Sequence, residues 1–454
     1  MAMKIIIVGC GKVGQTLVAE LNDGQNDIVV IDENPTKVKN TVAKYDVMGV
    51  IGNGATIATQ ADAEVSNADL LIAVTGSDEI NMLACILARR QASCLTIARI
   101  KGPEYYADVN RIKRELGISM IVNPDYAAAE EIARILNFPS AINIETFAKG
   151  RVELLRFKLP ENSPLVGLSV KEVITKLRCN VLVCTVERDE EALIPRGDLV
   201  FEERDVISIV ASHKCANNFF KKIKYKTTPT RAATVVGGGN MTHYLCDMLT
   251  KSGISVKIIE RDLEKCNELA SDFDHVTVIH GDPSDESILR EEGVDKSDAF
   301  VSLTGLDEEN IMLSLFVKKV GSAKTITKIN RIEYNEVINN LDLDSIIYPK
   351  NITANMIFRY VRSSQNKRGS SMESLYDVIK GQVVAAEFIV GQYAQVTGKS
   401  IMELNLKSDV IIAAILRDKA VIIPRGQDTI EEGDSVIVVT KDTSISDIND
   451  ILRK

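Results

Sequence analysis

Runs of four or five apolar residues recur along the chain, and between them apolar positions fall every third or fourth residue. Ile5-Ile6-Ile7-Val8 opens the pattern as a buried strand, and Val13, Leu17, Val18 and Leu21 follow at helical spacing. Ile28 to Ile31, a short run ending near Ile51, Leu70 to Val74, Leu95 to Arg99 and Met120 to Val122 read as further strands. Helices are expected over Lys37 to Tyr45, Ala58 to Ala63, Asn81 to Arg90, through Val109 and Leu116, and over Tyr126 to Leu136. Strands alternating with helices predict a mostly parallel, doubly wound sheet. The last helix leaves the sheet and is placed to pack on a neighbouring copy of the fold.

Between the first strand and the first helix, Gly9, Gly11 and Gly14 stand in G-x-G-x-x-G spacing. Strand, glycine turn and helix in that order are the context of a dinucleotide-binding fingerprint. Gly9 allows the tight turn, Gly11 the approach of a pyrophosphate, and Gly14 close packing of helix on strand. The phosphates would rest on free amides at the positive end of the helix. The second strand ends in Asp32, 18 residues past Gly14 and close to the position of a ribose-binding acid. A carboxylate there accepts bonds from ribose hydroxyls and repels a 2′-phosphate, which favours NAD(H) over NADP(H). The alternative is a glycine turn in an α/β domain that binds no nucleotide.

The pattern then repeats. Ala233-Thr234-Val235-Val236 precedes Gly237-Gly238-Gly239-Asn240-Met241-Thr242, and Gly237 follows Gly9 by 228 positions, as Glu260 follows Asp32. Thr75-Gly76-Ser77-Asp78-Glu79-Ile80-Asn81 returns as Thr304-Gly305-Leu306-Asp307-Glu308-Glu309-Asn310, and Ile194-Pro195-Arg196-Gly197 as Ile423-Pro424-Arg425-Gly426. So long a period means duplicated domains, not a solenoid. From Arg151 the pattern shifts to short strands and one short helix, a small α+β lobe that repeats after Val383. The fold class expected is therefore α/β: a duplicated Rossmann-like, doubly wound parallel sheet, each copy followed by a small α+β lobe. The boundaries drawn are 1–136, 150–222, 231–358 and 376–454. Lys221 to Arg231, basic and marked by Pro229, reads as an exposed linker, and Ser363 to Ser371 as a polar, mobile one.

A length of 454 residues calls for two to four domains, and 45% hydrophobic residues suffice to pack them. The net charge of −9 argues against a nucleic-acid partner. No apolar run has the length to cross a bilayer, and Lys4 leads straight into a core strand without a signal peptide, so a soluble, cytoplasmic chain is expected. The eight cysteines form no Cys-x-x-Cys pair and do not cluster with the four histidines. Free thiols and no metal site are therefore expected.

Two dinucleotide-type folds, each trailed by a small β-rich lobe and each carrying the Thr-Gly-x-Asp-Glu-x-Asn echo, resemble the RCK (regulator of potassium conductance) family. The tandem form is similar to the regulatory subunits of Trk potassium-uptake systems. The resemblance spans nearly the whole chain. It implies nucleotide-binding N-lobes and small C-lobes assembled into a gating ring, as a homo-oligomer taken to be a tetramer. The ring would sit under a TrkH-like membrane potassium channel subunit, so that the chain is peripheral on the inner face of the cell membrane. NAD(H), and ATP or ADP, are the ligands implied.

Carried over by position, the first site takes Gly9, Cys10, Gly11, Lys12, Val13 and Gly14 at the phosphates and Asp32 on the ribose. Asn53 lies after the third strand, and Thr75 and Gly76 border the far ribose. Arg99 reaches a phosphate or a neighbouring chain, or makes a surface ion pair. The second site takes Gly237, Gly238, Gly239, Asn240 and Met241, with Glu260, Thr304 and, in the place of Arg99, Lys328. Thr242 replaces the third glycine there, so the helix is expected to pack farther from its strand. Arg261, next to Glu260, would accept a phosphate or sit in water. Two unequal sites follow: NAD(H) in the first copy, and ATP or ADP bound weakly or nothing in the second. Asp78 and Glu79 are assigned to helix capping and to the helix dipole.

The mechanism expected is a population shift, in which a nucleotide prefers one ring geometry. A rival reading is an NAD-dependent oxidoreductase, but no histidine lies near the ends of strands four to six of the first copy to handle a proton. Another is a C-lobe sensor presenting Arg196 and Arg425 to a cyclic dinucleotide; the alternative for those arginines is a solvated hairpin turn.

Overall fold

A computed structural model of the chain describes residues 3–22, 26–137, 143–148, 151–159, 162–177, 179–189, 191–223, 230–330, 337–338, 341, 343–365, 370–379, 381–418 and 420–453. The strands of the first copy are β1 (Lys4–Val8), β2 (Asp27–Asp32), β3 (Met48–Ile51), β4 (Leu70–Ala73), β5 (Leu95–Arg99) and β6 (Met120–Val122). They form one parallel sheet in the order β3-β2-β1-β4-β5-β6. Ile5, Ile6 and Ile7 are fully buried, as β-branched residues covered on both faces of a sheet must be. Strand order reverses between β1 and β4. The carboxyl ends of these two strands therefore flank the crevice where α/β sheets take their ligands.

A five-stranded antiparallel sheet follows: β7 (Asn143–Phe147), β8 (Val152–Lys158), β9 (Val181–Arg188), β10 (Glu191–Leu193) and β11 (Val206–Ala211), ordered β10-β9-β11-β8-β7. The second copy repeats the parallel sheet with β12 (Ala232–Val236), β13 (Ser255–Glu260), β14 (Val276–His280), β15 (Ala299–Ser302), β16 (Lys324–Lys328) and β17 (Ser345–Ile347). Their order is β14-β13-β12-β15-β16-β17. The last sheet, again antiparallel, holds β18 (Ser370–Ile379), β19 (Val383–Val390), β20 (Val410–Arg417), β21 (Ala420–Ile422) and β22 (Ser435–Thr440), ordered β18-β19-β22-β20-β21. The fold class expected from the sequence is the one observed.

Two compact units result. Residues 1–137 and 230–358 form the first, which holds both parallel sheets, and residues 138–229 and 359–454 form the second, which holds both antiparallel ones. Within the first unit, the helix Pro124–Asn137 leaves its own sheet and packs on the helix Asn240–Lys251 of the second copy. Ala128, Ala129, Ile132 and Leu136 share one core with Leu245, Leu249 and Val235. The neighbouring copy on which this helix packs is thus the other half of the same chain.

Within the second unit, Phe147, Val152, Cys184 and Val210 from one small sheet are continuous with Ala385, Ala413 and Val439 from the other. Glu387, only 6% exposed, accepts bonds from the Ala148 amide (3.1 Å) and the hydroxyls of Ser374 (3.2 Å) and Ser435 (2.6 Å). It ties the two small lobes together through one buried carboxylate.

Some boundaries differ from those read in the sequence. β7 lies upstream of residue 150 and β18 opens before residue 376. The helix read from Asn81 begins at Asp78. The stretch 363–371, read as a polar linker, carries the end of the helix Pro349–Gln365 and the start of β18, because ladder pairing with β19 outweighs the serine-rich composition. Residues 366–369 lie outside the described residues, as do 224–229 of the basic linker, whose beginning belongs to the helix His213–Lys222.

Candidate functional site

The turn after β1 is built around three glycines, each set in different surroundings. Gly9 has φ +109°, and an added Cβ would lie 3.0 Å from the Thr75 nitrogen, so the turn runs against the end of β4. At Gly14 an added Cβ would lie 1.9 Å from the Gly9 carbonyl oxygen, so helix and strand are in backbone contact. At Gly11 an added Cβ meets no heavy atom within 4 Å. Gly11 is the N-cap of the helix Lys12–Leu21, which has no side-chain cap and no acidic residue in its first turn. Its first-turn amides and positive dipole end therefore face open space, the arrangement that receives a phosphate.

Asp32 is fixed beside this turn. One carboxylate oxygen accepts from the Cys10 amide (2.7 Å) and the other from the Asn34 amide (2.9 Å). The second lone pair on each oxygen remains for a ligand hydroxyl. The Cys10 amide, assigned to the phosphates from the sequence, is thus taken by the acid. The Cys10 side chain is buried, and burial together with Asp32 pushes the thiol up to about 11. Gly14 is buried in its packing against Gly9.

In front of the turn lies a cavity of about 620 Å³, within the roughly 300–1,000 Å³ usual for small-molecule sites. Gly9, Gly11, Lys12, Val13 and Asp32 form its turn side, and Asn53, Thr75, Gly76 and Arg99 also line it. The Asn53 side chain is itself engaged, accepting from the Ala55 amide at 2.8 Å. Arg99 donates to the Thr75 carbonyl, and its Nε is buried without a partner among the described residues. Burial pulls the guanidinium below its usual value against the pull of Asp78 and Asp125. Asp125, at the same cavity, is raised by burial despite Lys101, Lys328 and Arg99. Three cations around one partly buried carboxylate make an electropositive wall that an anionic ligand would relieve.

The Thr-Gly-x-Asp-Glu-x-Asn segment proves to be a clamp. Asn81 is fully buried; its Oδ1 accepts from the Thr75 amide and hydroxyl (2.8 Å each), and its Nδ2 donates to the Arg99 carbonyl (2.8 Å). It therefore pins the end of β4 to the end of β5. Asp78 accepts from the Lys101 and Gly102 amides at 2.8 Å, fixing the loop after β5, while Ser77 caps the helix. The capping role assigned to Asp78 thus belongs to Ser77. Asn310 repeats the clamp on Thr304 and on the Lys328 carbonyl (3.0 Å).

The second turn keeps the geometry with different chemistry. Gly237 has φ +99°, Gly239 is an uncapped N-cap with open space around it, and Glu260 accepts from the Gly238 amide. Thr242 is buried, and its hydroxyl bonds back to the Gly237 carbonyl, replacing with a hydrogen bond the backbone contact made by Gly14. A second cavity, about 710 Å³, touches Gly238, Gly239 and Asn240 but is flanked by Asp247, Glu268 and Asp272, a poor setting for phosphates. Two residues assigned to the second site, Met241 and Lys328, also line the first cavity, because the second copy closes that cavity from outside. Lys328 donates to the Leu303 carbonyl (2.8 Å), and burial lowers its ammonium against Asp125 and Asp307.

Lys101, Asp125 and Lys350 also line the first cavity and were missed. A usable signal existed: Asp125 and Lys350 each follow a proline just after the last strand of their sheet. Arg196 and Arg425 are both exposed at tight turns of the small lobes. Among the described residues no helix is long and apolar enough to cross a membrane.

Comparison with known proteins agrees with this architecture. The TrkA-N domain model matches residues 5–124 and 233–349, and the TrkA-C domain model matches residues 154–224 and 385–453. The Trk system potassium uptake protein TrkA homolog of Archaeoglobus fulgidus is 32% identical over 451 residues, 99% of this chain and 100% of that protein. Among solved structures, the GsuK channel bound to NAD superposes with a TM-score of 0.64 at 17% identity, over 97% of this chain and 77% of that one. GsuK bound to ADP superposes with a TM-score of 0.52 at 15% identity, over 80% of this chain and 69% of that one. These two likenesses carry the fold alone. With both halves matched and the full length aligned, the chain belongs to the TrkA family of Trk-system potassium-uptake proteins.

Proposed function

We propose that the chain is a nucleotide-sensing regulatory subunit that controls a membrane potassium-uptake channel by changing the geometry of a gating ring. The observation that carries this is the uncapped helix at Gly11, which opens into a cavity lined by both Asp32 and Arg99. The pyrophosphate of NAD(H) would lie on the amides of Gly11, Lys12 and Val13. Asp32 would hold the adenosine ribose, and Thr75 and Gly76 would border the other one. ATP or ADP would use the same phosphate seat, with Arg99 at the far phosphate. Asn53 acts by shaping the loop. In the second copy Gly237, Gly238, Gly239 and Asn240, with Glu260 and Thr304, would offer a weaker seat.

The partner in this reading is a TrkH-like membrane subunit, and four chains supply eight N-lobes to a ring on the inner face of the cell membrane. The nucleotide acts as an effector and is not turned over. Its leverage is the difference in its affinity for two ring geometries, about 1–3 kcal/mol per site, multiplied by the number of sites. The NAD-bound and ADP-bound GsuK structures, which share the fold, support the choice of ligand. Calorimetry of the full chain with NADH, NAD⁺, ADP and ATP tests the reading: saturable binding abolished by Gly11→Asp is expected, and no affinity for any of the four overturns it.

A further inference from the structure

The helix Asn240–Lys251 starts at the second glycine turn but delivers its side chains to the first copy. Tyr244, one turn from its start, is 7% exposed and stacks edge-on with Tyr106 and Tyr126 of the first copy, at centroid distances of 5.5 and 5.4 Å. Its hydroxyl donates to the Lys101 carbonyl (3.0 Å) and accepts from Asn123 Nδ2 (2.9 Å). Both contacts lead to the first cavity. The Lys101 peptide is held from its other side by Asp78, and Lys101 lines the cavity. The Asn123 side chain accepts from the amides of Asp125 and Tyr126 (3.0 Å each), and Asp125 lines the cavity too. Met241, one turn before Tyr244 on the same helix, lines it directly.

We propose that Tyr244 is a positioning residue for the first cavity: the second copy, through this one phenol, sets where Lys101 and Asp125 stand and so sets the affinity for an anionic nucleotide. The inference deepens the nucleotide reading above and rests on it. Lys101 is a cation whose carbonyl is fixed by a residue 143 positions away, in a different copy of the fold. Asp125, the acid among the cavity's cations, begins its helix from a cap, Asn123, that the same hydroxyl holds. The three-ring cluster holds the phenol ring in two edge-to-face contacts. A shift of the second copy against the first therefore moves the charged wall of the cavity, and a nucleotide in the cavity resists that shift. The coupling is intrachain and needs no second protomer.

The test compares Tyr244→Phe with a variant that weakens the same helix packing without touching the wall. Leu249→Ala empties part of the core shared by the two copies, and Leu249 does not line the cavity. NADH affinity is measured by fluorescence on the full chain, following the binding phase that Gly11→Asp removes, and thermal midpoints are recorded beside it. Tyr244→Phe is expected to weaken NADH about fivefold or more, and by a smaller factor when Lys101→Met is already present, because part of the phenol's effect runs through that side chain. Leu249→Ala is expected to lower the thermal midpoint at least as far while changing the affinity less than about twofold. A Tyr244→Phe effect that is below twofold, that is equal in both backgrounds, or that Leu249→Ala reproduces overturns the positioning role. Absence of NADH binding by the unsubstituted chain removes the nucleotide reading, and the positioning role with it.

Discussion

Gly11→Asp separates the nucleotide seat from the fold that carries it. Gly11 has φ −75° and ψ −171°, an extended conformation open to any residue, and the added Cβ has no heavy atom within 4 Å. Aspartate is a favoured N-cap, so the substitution caps the helix Lys12–Leu21 and is worth a few tenths of a kcal/mol of stability. Losing a flexible glycine from the unfolded chain adds about 0.4–1 kcal/mol. The same carboxylate takes the amides on which the pyrophosphate would rest and sets one negative charge against another. At a separation near 4 Å and an effective dielectric of about 20, that repulsion is on the order of 4 kcal/mol, roughly a thousandfold in affinity. The expected result is a chain whose thermal midpoint without ligand is unchanged or raised and whose NADH titration is flat. Binding at the unsubstituted affinity would refute the placement of the pyrophosphate. The neighbouring glycines set the contrast: Gly9→Ala and Gly14→Ala should lose binding only by losing stability, since their Cβ atoms would collide with backbone.

Asp32→Asn keeps one oxygen to accept from the Cys10 amide, turns its NH2 against the Asn34 amide and removes the charge; NADH affinity measured by calorimetry is expected to fall about tenfold or more, with discrimination against NADPH narrowed. Burial pulls the Lys324 ammonium from 10.5 to about 8, with Asp344 offsetting part of the shift. The folded state then disfavours the proton, so the penalty is complete below pH 8 and fades as pH rises from there towards the unfolded value. Lys324→Met should therefore raise stability to denaturant at pH 7, by on the order of 2 kcal/mol, and the gain should shrink by about pH 10. Glu387→Ala strands the Ala148 amide and the Ser374 and Ser435 hydroxyls in the small-lobe core; a loss of about 2–4 kcal/mol in denaturant unfolding is expected, and a loss under about 1 kcal/mol would show that the carboxylate is not the tie between the small lobes.

The fold was legible because its signals are local. β-branched runs, the spacing of Gly9, Gly11 and Gly14, and an acid at the end of β2 each constrain a few consecutive residues, and the echo 228 residues later doubles the weight of each. The second wall of the site was not legible, because it depends on which helix crosses to which sheet. Position within its own copy puts Lys328 at the second turn, whereas the packing of Pro124–Asn137 on Asn240–Lys251 brings it to the other copy's cavity. The Asn81 clamp was hidden for another reason: a buried amide bridging two strand ends looks, in sequence, like one polar residue in the first turn of a helix. β18 was obscured by its serines, since strand pairing is decided by the partner strand and not by composition.

Duplication explains why the two turns need not be equivalent. If both copies bound the same ligand with the same energy in every geometry, nucleotide could not move the assembly at all. The two turns differ at particular residues. Gly14 allows backbone contact where Thr242 substitutes a hydrogen bond, and Asp125 faces a cavity to which the corresponding position of the other copy contributes Lys350. In the proposed reading, one copy would supply the seat and the acid for the sugar, while the other lines the same cavity with Met241 and Lys328. A ligand in the first cavity therefore contacts both halves of the first unit, and its binding energy depends on how those halves are set against each other. That dependence is what a regulator requires, and a single dinucleotide fold closed on its own side chains would lack it.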